Sequence, residues 1–186
     1  TKDIGRPKVE SARQAIAALN PGVRVETHNV RLTQANALAL IGGYDIVADG
    51  SDNFATRFLV NDACFFAEKT LVSAAVTQFD GQLATFKAHD RSGAWPCYRF
   101  IFPEAPPPDA TRNCAEDGVL GAAAGVMGSL QALEVLKEIT GIGTSLAGSL
   151  LLYEALTARF RKLAVRPDPA CALCGDHPVI AGLTGA

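Results

Sequence analysis

The pentapeptide Asp49-Gly50-Ser51-Asp52-Asn53, directly after the apolar run Tyr44-Asp45-Ile46-Val47-Ala48, constrains this chain more than any other feature. A short apolar strand that ends in Asp, Gly, Ser and Asn and then enters a helix is how open α/β sheets build ligand sites. Their ligands bind outside the carboxyl ends of the strands. Two carboxylates there, beside a helix N-terminus that attracts anions, suit a magnesium-bound phosphate better than an apolar substrate. The same residues also read as a polar turn in which Ser51 or Asp52 caps the next helix. Position alone leaves the two readings level.

The alternation of elements around the pentapeptide narrows the fold. Apolar residues at 9, 12, 15, 16 and 19 predict an amphipathic helix over 8–19, stopped by Asn20-Pro21-Gly22. Residues 23–29 alternate as a strand does, and Thr33 caps a short helix through 41. A buried strand at 44–48 leads to a helix over 53–68, with Phe54, Phe58, Cys64 and Phe65 on its inner side. A strand at 71–76 has a hairpin-type neighbour at 81–86. From 87 to 117 three successive prolines and several polar turns predict a long loop. A small-residue entry and a strong helix over 118–140 follow, then two closing strands at 150–153 and 159–165. The sum is an α/β fold around a twisted, mostly parallel sheet.

Composition excludes several classes of function. The 186 residues suffice for one domain with a real core, and 48% apolar with 19% charged residues is globular usage. A net charge of −2 gives no electrostatic case for nucleic acid or for a membrane surface. The most apolar stretch, 119–136, is broken by glycines, Gln131 and Glu134, which is too polar for a membrane span. Thr1-Lys2-Asp3 opens on a helical pattern and not on a signal peptide. Five cysteines without such a signal point to a reducing, cytoplasmic setting, where metal or catalytic roles outrank disulfides.

Three groups of residues carry chemistry. Cys171-Ala172-Leu173-Cys174-Gly175 supplies two thiols at metal-ligand spacing, although a redox pair or two idle thiols has the same spacing. Its natural complement is Cys97 in Trp95-Pro96-Cys97-Tyr98-Arg99-Phe100, where Phe100 occupies the place of a second cysteine. Three thiols then need a fourth ligand, for which His177 is the local candidate. Cys114 lies on the proline-rich loop beside Arg112, either as a thiol of lowered pKa or as an exposed, unreactive one; Cys64 reads as core. Lys8, at a helix start where a cation is mildly unfavourable, is either a surface lysine or a phosphate ligand. Arg57, one turn beyond Asn53, faces either the same ligand or solvent.

Taken together these residues resemble the MoeB/ThiF family of ubiquitin-activating-type adenylyltransferases. The resemblance runs over nearly the whole chain. It covers Asp3-Ile4-Gly5-Arg6-Pro7-Lys8, Asn20-Pro21, the pentapeptide with Arg57, and Asn61-Asp62-Ala63-Cys64. It continues through Gly81-Gln82, Pro96-Cys97-Tyr98-Arg99, Cys114 with Gly118-Val119-Leu120-Gly121, and residues 125–132, and closes on Cys171-x-x-Cys174-Gly175.

The resemblance implies ATP-dependent adenylylation of the C-terminal glycine of a small ubiquitin-like sulfur carrier, in molybdopterin, thiamin or related sulfur transfer. It implies that Asp52 holds Mg2+, that Asn53 and Arg57 contact the nucleotide region, and that Lys8 binds the ATP phosphates. Cys114 falls where some members carry a thioester- or persulfide-forming cysteine. Cys97, Cys171 and Cys174 fall on zinc positions, with Phe100 departing from the fourth. A homodimer is implied as well. The implied fold is Rossmann-like with helices on both faces and antiparallel C-terminal strands. Its first third, with the glycine-rich nucleotide loop, is expected to be absent, since no Gly-x-Gly-x-x-Gly occurs. The expected organisation is an adenylation domain over 1–165 and a tail over 166–186 that brings two cysteines to Cys97. The alternative is a non-catalytic carrier-binding and dimerisation module unable to bind ATP alone.

Overall fold

The computed structural model describes residues 3–90, 95–106 and 118–183. The chain divides into two units, residues 1–32 and 33–186. In the first, Pro7 precedes α1 (Lys8–Leu19), which has no buried residue. Within it Glu10 accepts from Arg13 at 2.9 and 3.0 Å, and from the Thr27 hydroxyl at 3.2 Å. The strand expected over 23–29 does not form. Its alternation is present, but the described residues of the unit offer no second strand, and a strand without a ladder is not stable.

The second unit runs α2 (Gln34–Gly42), β1 (Ile46–Asp49), α3 (Phe54–Phe66), β2 (Thr70–Val76) and β3 (Asp80–Phe86). It continues with α4 (Tyr98–Ile101), α5 (Gly121–Thr140), β4 (Ser149–Glu154) and β5 (Arg159–Ala164). One five-stranded sheet takes the order β1-β2-β3-β4-β5. The α/β class and the antiparallel C-terminal strands stand as expected. The sheet is not mostly parallel: β1–β2 is parallel, and the other three pairs are antiparallel. Connection length accounts for three of the four pairs. Parallel neighbours need a crossover of a dozen or more residues, which α3 supplies between β1 and β2. Residues 77–79 and 155–158 are too short for anything but a reversal.

Helices cover both faces of the sheet. Val72, Ala74 and Leu83 pack against Met127 of α5 together with Leu146. From the opposite face Leu71 and Phe86 border Asn61 and Cys64 of α3. Each fully buried Leu or Val here contributes about 1.5–3 kcal/mol of transfer free energy. Gly141 ends α5 with φ of +69°, and its N–H donates to the Lys137 carbonyl at 2.8 Å. A left-handed residue at that position favours glycine.

Candidate active site and thiol cluster

The Asp49–Asn53 turn sits at the carboxyl end of β1 and is fixed from four directions. Buried Asp49 accepts from the Ser51 N–H at 2.9 Å through Oδ1 and from the Ser73 hydroxyl at 3.3 Å through Oδ2. Gln131 reaches from α5 and donates to the carbonyls of Asp49 and Val72, at 2.8 and 2.9 Å. Arg57, buried on α3, donates through Nε and Nη2 to the Ser51 carbonyl at 3.1 and 2.9 Å. Asn53 caps α3, its Oδ1 accepting from the Thr56 N–H at 2.8 Å. The cap sequence reasoning offered to Ser51 or Asp52 therefore belongs to Asn53. That frees Asp52, which is exposed and, among the described residues, takes one hydrogen bond, from the Asn53 amide at 3.2 Å. The Ser51 hydroxyl is buried without a hydrogen-bond partner.

Below the turn, α3 buries polar side chains that motif reasoning did not assign to any task. Asp62 and Arg99 form a two-pronged ion pair, Nε–Oδ1 2.8 Å and Nη2–Oδ2 2.7 Å. The guanidinium also lies over the Phe58 ring, 4.7 Å from its centroid. Hydrogen bonding to Asp62 raises the Arg99 pKa. Asn61 accepts from the Tyr98 N–H at 2.9 Å. These contacts dock α4 on α3. Tyr98 packs edge-on against Phe58 and Phe86, and burial raises its phenol pKa, partly offset by the Arg57 charge.

Cys64 is core, as expected. Burial, then the Asp49 charge, pushes its thiol up to about 12 from 9.0. The folded state must keep this thiol protonated where the unfolded chain ionises it. Stability is therefore expected to fall as pH rises from about 9 toward about 12. Cys64→Ala should flatten that slope in urea unfolding done on either side of the lower value.

The thiol cluster joins α4 to the C-terminal tail. Cys97 caps α4, and its Sγ lies 3.6 Å from that of Cys171, which lies 3.5 Å from that of Cys174. All three sulfurs fall within 4.8 Å of one another. Cys97 and Cys171 are buried, Cys174 is half-buried, and Leu173, Phe65, Phe66 and Ile180 wall the group. Hydrogen bonds from Cys174 and Cys97 pull the Cys171 thiol down, and donating to Cys171 pushes the other two up. The spacing fits a tetrahedral zinc site, whose sulfurs stand about 3.8 Å apart for Zn–S bonds of about 2.3 Å.

Gly175 closes this knuckle. A Cβ there would stand 2.3 Å from the Pro169 carbonyl and 2.6 Å from that of Cys171. Both are backbone atoms that cannot yield cheaply. Gly175→Ala should cost about 2 kcal/mol or more and lower metal retention, read by thermal melting and metal analysis.

The expected site residues thus separate. Asp52, Asn53 and Arg57 share one turn, with Arg57 directed at a carbonyl. Cys97, Cys171 and Cys174 share one cluster. His177, expected as its fourth ligand, is exposed and lies outside the group. Lys8 is exposed at the start of α1 in the first unit. Cys114 lies outside the described residues. Gln131 and the Asp62–Arg99 pair were missed because their partners lie tens of residues away in sequence.

A strand–helix–strand crossover whose first strand ends in a carboxylate-bearing turn, continued by an antiparallel sheet, defines an α/β domain that presents charge at a strand terminus. Residues 1–173 match the ThiF family, and the chain belongs to it. The chain is 54% identical over 181 residues to the sulfur carrier protein adenylyltransferase of Thermus thermophilus, covering 96% of this chain and 66% of that protein. It is 47% identical over 180 residues to the adenylyltransferase and sulfurtransferase MOCS3 of Sus scrofa, covering 96% and 39%. Among solved structures, E. coli MccB with ATP aligns at a TM-score of 0.76 and 16% identity, over 93% of this chain and 52% of that one. The chain therefore spans about two-thirds of the bacterial relative and well under half of the MOCS3 protein.

Proposed function

We propose that this chain is part of an adenylyltransferase that activates the C-terminal glycine of a small ubiquitin-like sulfur carrier with ATP. The observation that carries the reading is Asp52, an exposed carboxylate at the end of β1 on a turn held by Asp49, Arg57 and Gln131. The names of the relatives support the reaction and the carrier. The turn offers hard oxygen donors, which suit Mg2+, and the partnerless Ser51 hydroxyl suits a further polar ligand. When bound, magnesium neutralises phosphate charge as pyrophosphate leaves.

In this reading Asp52 binds the ion, Asn53 contacts the nucleotide and Lys8 binds ATP phosphates. The part of Arg57 is to set the turn on which Asp52 stands. The chemistry is mostly positioning and charge stabilisation, so a rigid turn matters more than a reactive one. The Cys114 thiol attacks the carrier's acyl adenylate, forming a thioester and releasing AMP. Zinc at Cys97, Cys171 and Cys174 ties the tail, residues 166–186, to the domain over 1–165.

A cytoplasmic homodimer feeding molybdopterin, thiamin or thiolation chemistry completes the reading. No helix among the described residues is long and apolar enough to cross a membrane. The test is carrier-dependent ATP–pyrophosphate exchange, run with this chain and with a form extended to the length of its relatives. Exchange by either form supports the proposal. Carrier binding without exchange in both forms would make the chain a non-catalytic module.

A further inference from the structure

We propose that zinc at Cys97, Cys171 and Cys174 takes its fourth ligand from solvent, which makes the cluster an exchangeable three-thiolate centre. The inference rests on the zinc reading and goes beyond it. Zinc in proteins is almost always four-coordinate, and sites with three protein ligands and a water are the reactive kind. Among the described residues no carboxylate, imidazole or further thiol joins the three sulfurs.

The sequence position that would supply one holds a phenyl ring. Cys171 and Cys174 form a Cys-x-x-Cys pair, and Phe100 stands at the same offset from Cys97. Its N–H donates to the Cys97 carbonyl at 3.1 Å, closing a tight turn. Phe100 offers no donor atom.

Neither nearby histidine completes the group. His177 is exposed. His89 borders, with Cys97, a void of about 10 Å³, room for one water, yet its ring nitrogens lie outside the group. Charge also favours a solvent ligand. Three thiolates on Zn2+ leave one net negative charge and four leave two, and the wall of Phe65, Phe66, Leu173 and Ile180 solvates either poorly. Half-buried Cys174 marks the side from which solvent reaches the site. The ligand class is water at rest and small thiols in exchange. In that exchange the oxygen ligand leaves, one Zn–S bond forms, the thiol proton passes to solvent, and nothing is oxidised.

X-ray absorption on the zinc-loaded chain tests this directly. Three sulfurs and one oxygen or nitrogen are expected, rising to four sulfurs when β-mercaptoethanol is added. Phe100→Cys should show four sulfurs at the outset and no change on adding the thiol. Four sulfurs in the unmodified chain, reduced to three by Cys114→Ser, would overturn the proposal. So would an imidazole signal abolished by His89→Ala or His177→Ala. A folded chain that binds no zinc at all would overturn the zinc reading itself.

Discussion

Replacing Asp52 with alanine is expected to lower carrier-dependent pyrophosphate exchange by about 100- to 1,000-fold and to leave the melting temperature unchanged. The two halves of this result have separate causes. Asp52 is exposed, and among the described residues its one hydrogen bond comes from the Asn53 amide at 3.2 Å, so the fold does not depend on it. In the proposed reaction its carboxylate holds the ion that offsets phosphate charge. Asp49 is the internal control. Its carboxylate is buried and accepts from the Ser51 N–H and the Ser73 hydroxyl. Asp49→Ala leaves both donors unsatisfied, at about 1–3 kcal/mol each, and should lower stability and exchange together. Exchange kinetics and thermal melts on the two variants, made at the length of the relatives, separate a ligand-binding carboxylate from a structural one. Equal behaviour of the two variants would remove the special role of Asp52.

Asp62→Ala is expected to cost about 3–5 kcal/mol of stability, because it strands the Arg99 guanidinium in a site that is 12% exposed. For a domain of this size that corresponds to a fall of roughly 10 °C in Tm. The loss propagates along the chain. Asp62 holds Arg99, Arg99 lies on α4, and Cys97 caps α4, so undocking α4 loosens one of the three clustered thiols. Metal retention should therefore fall with stability. The double variant Asp62→Leu/Arg99→Leu should be less destabilised than Asp62→Ala, since replacing both partners leaves no buried charge unpaired. If the double variant were the worse of the two, the ion pair itself would be the main source of stability.

The turn and the strand before it were legible from local sequence, because an apolar run followed by Asp, Gly, Ser and Asn is a local signal. The helix over α3 was legible for the same reason. The identity of the cap was not: Ser51, Asp52 and Asn53 are all competent, and the choice of Asn53 depends on backbone angles. Arg57 has the right spacing to face a ligand, yet its acceptor is a main-chain carbonyl, which no side-chain pattern records. The strand expected at 23–29 failed because alternation marks a half-buried face without supplying a neighbour. The antiparallel pairing of β2 with β3 and of β4 with β5 was readable in the short connections after β2 and β4, whereas β3 meets β4 across residues 87–148. α4 was hidden among prolines, and its docking rests on Asp62–Arg99 and Asn61–Tyr98 contacts that span 37 residues. The thiol cluster was legible as a pattern, although Cys97 meets Cys171 across 74 residues.

The most direct test of the account is the mass of the carrier. A ubiquitin-like sulfur carrier ending in glycine, incubated with ATP, Mg2+ and the protein at the length of its relatives, is analysed intact. The account predicts an AMP adduct on the C-terminal carboxylate, absent with Asp52→Ala and absent when the terminal glycine is removed. A carrier that binds the protein tightly and returns with its mass unchanged would contradict it.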